Sequence, residues 1–211
     1  MLEIEYIGSN SVVLKTKGGE LWIDPAIIDA NIPGPKKIPA TQLATQADFL
    51  TKKADSTLQV EGPGEYEIGT FAISGVAAFC HTDTESEGKR STIYKISAED
   101  YRIGVIGNIQ PKLSEEQLET LGVVDILIIP VGGGGYTLDA MNAIAIIKQV
   151  EPRVVVPVHY GESGVDYEVS QEKIDVFTKE LGAPVEEMSK CKIKSSAMLP
   201  QVLTVYKISR S

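Results

Sequence analysis

Residues 123–161 constrain the fold more than any other stretch of this chain. They open on Val123-Val124-Asp125-Ile126-Leu127-Ile128-Ile129-Pro130-Val131 and close with Val154-Val155-Val156-Pro157-Val158 followed by His159-Tyr160-Gly161. Between the two apolar runs lie Gly132 to Gly135 and then segment 137–150, whose Ala140, Ile144 and Ile147 recur at helical spacing. Two apolar strands joined by an amphipathic helix make a βαβ unit whose strands are buried on both faces. In open α/β sheets the site lies beyond the carboxyl ends of the strands. His159 therefore stands where chemistry is expected, and it is one of only 2 histidines.

The N-terminal half reads as strands. Segments 2–7, 11–16 and 20–24 form a meander ending at Asp24-Pro25. Residues 26–46, with Pro33, Gly34, Pro35 and Pro39, read as a loop crossing one end of the sheet. Segments 47–50 and 57–60 are short strand candidates, 62–64 a turn, and 71–80 a strand broken at Gly75. Segments 92–96 and 102–106 read as a hairpin and 202–208 as a last strand. Ser114 with Gln117 is a capping box for a helix to Leu121, stopped by Gly122. Thr137 is the expected cap of a second helix, with Asp139 in its first turn and Met141 and Val150 beside its buried face. Ser170 caps a third that carries Ile174, Phe177 and Leu181 and stops at Gly182. Strands first, then helices, predict one α/β sandwich domain over residues 1–211.

A net charge of -9 argues against nucleic acid or an anionic membrane as a partner. No apolar run approaches the ~20 residues of a membrane helix, and the acidic start Met1-Leu2-Glu3-Ile4-Glu5 is unlike a secretory signal. Cys80 and Cys191, far apart in the chain, read as buried free thiols of a cytoplasmic protein. No specific partner is legible, and a second copy of the chain is not excluded.

Four stretches resemble the metallo-β-lactamase-fold hydrolases, in particular a small bacterial branch of Zn-dependent hydrolases. They are residues 4–25 ending in Trp22-Ile23-Asp24-Pro25, then Gly62-Pro63-Gly64-Glu65-Tyr66-Glu67-Ile68-Gly69, residues 103–108 with the following 111–118, and residues 125–161 with Pro157-Val158-His159-Tyr160. The resemblance implies a metallo-β-lactamase-like αβ/βα sandwich of two mixed sheets flanked by helices. It also implies two zinc ions held by a His-x-His-x-Asp-His loop, a further His, a bridging Asp and a last His. Zinc prefers imidazole and carboxylate donors, and its bound water becomes hydroxide near neutral pH.

This chain departs from that pattern at most ligand positions. The loop is expected after segment 48–50, where Thr51-Lys52-Lys53-Ala54-Asp55-Ser56 contains no histidine. Asn108 follows Gly107 where the family places the bridging Asp. His81 and His159 remain as remnant ligand positions belonging to different ions, and Asp24 matches a position that supports a ligand. Zinc affinity comes from deprotonated ligands in fixed geometry, so no cofactor is expected. The reading is a degenerate, non-catalytic or zinc-independent member whose cleft serves as a binding or assembly surface. The alternative is a hydrolase of an ester, lactone, amide or phosphodiester, with zinc at a reduced site around His81, Asn108 and His159.

The vestigial cleft is then expected to hold Asp24, Lys52, Lys53, Asp55, His81, Asn108 and His159. Lys52 or Lys53 is expected to fold inward, because a buried Asp24 carboxylate without a counter-charge must otherwise shift its pKa upward. His159 lacks an orienting carboxylate in the sequence pattern, and the alternation His81, Asp83, Glu85 reads as a solvated loop. Gly132 to Gly135 read as a tight turn, since they lack the Gly-Lys-Ser/Thr ending of a phosphate loop. Glu65 and Glu67 read as structural.

Overall fold

The computed structural model describes residues 1–52, 57–84, 86 and 88–211. Lys53, Asp55 and Glu85, named above as candidates, lie outside the described residues. Strands β1 (Leu2–Gly8), β2 (Ser11–Thr16) and β3 (Gly19–Ile23) form the antiparallel meander, with Glu5 opposite Val13 and Val13 opposite Trp22. β1 alternates, placing Leu2, Ile4 and Tyr6 in the core and Glu3 and Glu5 on the outer face. There the two glutamates pair with Lys15, Lys190 and Lys192. That period-2 pattern fixes which face is buried.

The meander continues through β4 (Thr41–Ala44) and β5 (Leu58–Glu61), both parallel additions. β4 falls inside the stretch expected to be loop, and the expected strand at 47–50 is instead a 3-10 turn, Ala47–Phe49. Four residues with only one large apolar side chain, Leu43, carry too little periodicity to register. β13 (Cys191–Ile193) pairs with the far side of β1 and completes six strands in the order β13-β1-β2-β3-β4-β5.

The second sheet has eight strands in the order β12-β14-β11-β10-β9-β8-β7-β6. Its members are β6 (Gly64–Ile68), β7 (Phe71–Ala78), β8 (Ser91–Ala98), β9 (Tyr101–Val105), β10 (Ile126–Pro130), β11 (Val154–Val158), β12 (Val185–Met188) and β14 (Thr204–Ile208). β10 and β11 are parallel, and every residue of both is buried, as the βαβ pattern requires. β6, β12 and β13 have no counterpart among the expected strands. Each is a short edge strand, and β6 and β12 carry two glutamates apiece, as in Val185-Glu186-Glu187-Met188, which is how edges resist pairing with other chains.

Three helices, α1 (Glu115–Leu121), α2 (Ala140–Val150) and α3 (Ile174–Leu181), pack mainly on the eight-stranded sheet and on each other. α1 carries the expected capping box of Ser114 and Gln117. α2 is capped by Asp139, which accepts from Asn142 N, rather than by Thr137. Met141 points outward, 63% exposed. α3 starts four residues after Ser170, because residues 169–172 form no helical turn and Glu172 N donates to Gly132 O instead. Cys80 and Cys191 are both buried and free.

Candidate functional site

Several strand ends meet at one edge of the sandwich. β3 delivers Asp24, β4 delivers Thr45, the segment after β9 delivers Asn108, and β11 delivers His159. The β1–β2 turn supplies Ser9 and Asn10. Asp24, Thr45, Asn108, His159, Ser9 and Asn10 are all buried. Ser9, Asp24 and His159 adopt left-handed φ values of 49°, 47° and 50°. Such conformations cost of order 1 kcal/mol or more for residues with a Cβ and concentrate where geometry is functionally constrained. The strain here is spent on bringing side chains inward.

Asp24 receives two hydrogen bonds from a single residue, Thr45 N to Oδ1 at 2.7 Å and Thr45 Oγ1 to Oδ2 at 2.7 Å. No cation joins it among the described residues. Burial pushes its carboxyl up to about 7, although the Thr45 bonds act in the opposite direction. Thr45 is packed so closely that a Cβ on Gly107 would meet its Oγ1 at 2.6 Å. Lys52 is exposed and forms no ion pair among the described residues. The expected inward ammonium is therefore not supplied by Lys52. Its segment starts too far past β4, since the residue directly after the strand is Thr45.

Asp29, absent from the expected set, is the carboxylate that orients His159. Its Oδ2 lies 2.7 Å from His159 Nε2, and its two oxygens accept from Ser9 Oγ at 2.8 and 3.1 Å. Burial raises the Asp29 carboxyl, but the His159 and Ser9 hydrogen bonds and the His159 charge outweigh it and hold it below the usual range. The other ring nitrogen, Nδ1, stands 3.2 Å from Gln171 Oε1, whose amide Nε2 donates to Val169 O at 2.8 Å. The rings of Tyr136 and Tyr167 flank the imidazole at 5.5 and 5.1 Å. A cavity of about 20 Å³ remains beside it, enough for one water.

Asn108 accepts a bond from Asn10 Nδ2 at 2.9 Å, while Asn108 Nδ2 and Asn10 Oδ1 are buried with no hydrogen-bond partner among the described residues. His81 is bound through its backbone to Asn108 O and through Nδ1 to Ile109 O at 3.2 Å. Asp83 is buried rather than solvated, receiving Cys80 N at 2.7 Å and an ion pair from Arg90. Burial and the Asp83 carboxylate push the Cys80 thiol up to about 12, which leaves it inert as a nucleophile. Among the described residues no group of three or more His, Cys, Asp or Glu is placed to hold one ion.

The glycine run has a use that its turn geometry does not suggest. A Cβ at Gly132 would strike His159 O at 2.2 Å and Gln171 Oε1 at 2.5 Å. One at Gly134 would strike Ser170 O, and one at Gly161 would strike Gln171 O, both at 2.5 Å. These glycines clear a channel for residues 169–172 and so seat Gln171 on His159.

Residues 3–159 match the family described as the beta-lactamase superfamily domain. The chain belongs to that superfamily. A UPF0173 protein of Pyrococcus abyssi is 28% identical over 218 residues, covering 85% of this chain and 96% of its own length. A UPF0173 metal-dependent hydrolase of Carboxydothermus hydrogenoformans is 25% identical over 119 residues, 54% of this chain and 52% of its own. Among solved structures, one from Thermotoga maritima, described as a Zn-dependent hydrolase of the metallo-β-lactamase superfamily, superposes with a TM-score of 0.72. It covers 99% of this chain and 100% of its own at 18% identity, so it speaks for the fold. The superfamily sandwich of two mixed sheets is thus shared, and its relatives include archaeal proteins, beyond the bacterial branch the motifs resemble. No helix among the described residues is long and apolar enough to cross a membrane.

Proposed function

We propose that this superfamily member does not work through a binuclear zinc centre and that its cleft serves as a binding or assembly surface. One observation carries the reading. His159, at a ligand position of the resembled family, has both ring nitrogens turned onto the chain's own Asp29 and Gln171. The remaining groups fit zinc poorly, because Asn10 and Asn108 are neutral amides, Thr45 is a hydroxyl, and Asp83 is committed to Arg90. Beside the closed site an open groove of about 370 Å³ survives, lined by Pro25, Ile27, Ile28, Pro35, Ile38 and Leu50 among others. Ile28 and Ile38 are 54% and 47% exposed there, an apolar surface suited to binding.

The second reading is a metal-dependent hydrolase with a reduced site around His81, Asn108 and His159. Relatives in Carboxydothermus hydrogenoformans and Pyrococcus horikoshii bear that activity in their names, and Asp24 is a buried carboxyl with no cation beside it among the described residues. Elemental analysis of protein purified in ordinary buffer separates the two. The first reading expects less than about 0.2 zinc per chain, given the loss of deprotonated ligands. Stoichiometric zinc overturns it.

A further inference from the structure

Residues 29–31 and 166–171 lie across His159 as a strap made from two loops. Ala30 and Tyr167 form an antiparallel bridge. Asn31 N donates to Asp166 O at 3.0 Å, Asn31 Nδ2 to Asp166 Oδ2 at 3.1 Å, and Asp166 N returns a bond to Asn31 Oδ1 at 2.8 Å. Glu168 N donates to Asp29 O at 2.9 Å, so the strap also aims the Asp29 carboxylate. Beyond it, Gly161 N donates to Glu172 O and Glu172 N to Gly132 O, both at 2.7 Å. These backbone bonds anchor the strap on both sides of Gln171, at Asp166 and Glu168 before it and at Glu172 after it.

The cradle shows that this seat is built in the sequence. Gly132, Gly134 and Gly161 each leave room that a Cβ would deny to residues 169–172 or their neighbours. On the far side, Gly161, Glu162, Ser163, Asp166, Ser170 and Lys173 help line an open cleft of about 410 Å³. Tyr167 and Gln171 line both that cleft and the one-water chamber at His159. They stand between that cleft and the imidazole, with Glu168 and Val169 beside them.

We propose that segment 166–171 is an intramolecular occupant of the cleft: an autoinhibitory strap whose Gln171 amide sits on His159 as a tethered pseudo-ligand. Any molecule that reaches the His159–Asp29 pair does so only after the strap lifts. The proposal goes beyond the preceding reading and does not depend on it, since metal content tests one and histidine accessibility the other.

The chain's 2 histidines make the test direct. Full-length protein is treated with diethylpyrocarbonate at pH 7, and carbethoxylation of each histidine-bearing peptide is followed by mass spectrometry. Half-buried His81 serves as the internal reference and buried Cys191, followed with iodoacetamide, as the reporter of global unfolding. His159 should label at least roughly tenfold more slowly than His81, as expected for a group exposed only by local opening.

Gly161→Ala is the wedge variant. Its φ is not left-handed, so the added methyl meets one main obstacle, the Gln171 carbonyl. It should raise His159 labelling about tenfold while Cys191 stays protected. The double variant Asn31→Ala/Asp166→Ala, which loosens the strap without adding bulk, should raise it in the same direction and decides the matter if Gly161→Ala exposes Cys191. The proposal fails if His159 labels as fast as His81 in the unaltered protein. It also fails if His159 keeps its protection in the double variant.

Discussion

Asp24 and Asp29 are five residues apart on one segment, both buried, and their carboxyl groups are displaced in opposite directions. Asp24 meets only Thr45, and burial raises it to about 7. Asp29 meets His159 and Ser9 and is held below the usual carboxylate range. Burial pushes both up, so the difference lies in what stands opposite each. Where the chain supplies a histidine, the charge is settled internally; where it supplies a threonine, it is not. Each half of the site can be altered separately.

The largest effect is expected on the Asp29 side. Removing one partner of a buried pair leaves the other unsatisfied, at about 3–5 kcal/mol, and truncating a fully buried ring adds a cavity. His159→Ala should therefore lower unfolding free energy by at least about 3 kcal/mol in urea titrations. Asp29→Asn should lower it less, and the double variant should be no worse than His159→Ala alone. Additive losses would mean the two residues act separately.

Asp24 should behave in the opposite sense. Its folded pKa lies above the unfolded value, so the folded state binds the extra proton and stability falls as pH rises from about 4 toward 7. Asp24→Asn removes that loss. Its advantage relative to the parent should grow across that window by roughly 4 kcal/mol and level off above it. An advantage independent of pH would show that Asp24 does not titrate there. Asp29, being depressed, contributes stability that is present above the ordinary carboxylate range and lost only as pH falls below it.

Smaller effects test the rest of the ring. Asn108→Asp places a carboxylate beside Asn10 with no described cation, and should cost about 1–2 kcal/mol without recruiting stoichiometric zinc. Lys52→Met should change stability by less than about 0.5 kcal/mol, as for any exposed lysine. A larger loss would return Lys52 to the site.

The architecture was legible because β10 and β11 are continuous apolar runs and β1 alternates from Leu2 to Tyr6. The site was legible only where a strand end names its residue, as with His159, Asn108 and Asp24. Asp29 was missed because it lies in a proline-rich loop, although it is the one acidic residue between Pro25 and Ala47. Gln171 was missed because segment 169–172 reads as a helix start, whereas it packs as a loop against Gly132, Gly134 and Gly161. Thr45 was displaced by the faint signal of β4, which moved the expected loop onto Lys52. In each case the missing information was a long-range contact that no local pattern encodes.

On the reading proposed above, the chain's own side chains, not zinc, hold this edge of the sandwich together. Thermal unfolding of the purified protein in buffer, with excess zinc, and with a strong chelator tests it most directly. A ligand at a hundred times its Kd adds about 2.7 kcal/mol, and a kcal/mol moves the midpoint of a chain this size by about 2–4 °C. Matching midpoints in all three conditions are predicted. A rise with zinc, or a fall of more than about 4 °C with chelator, would contradict the account.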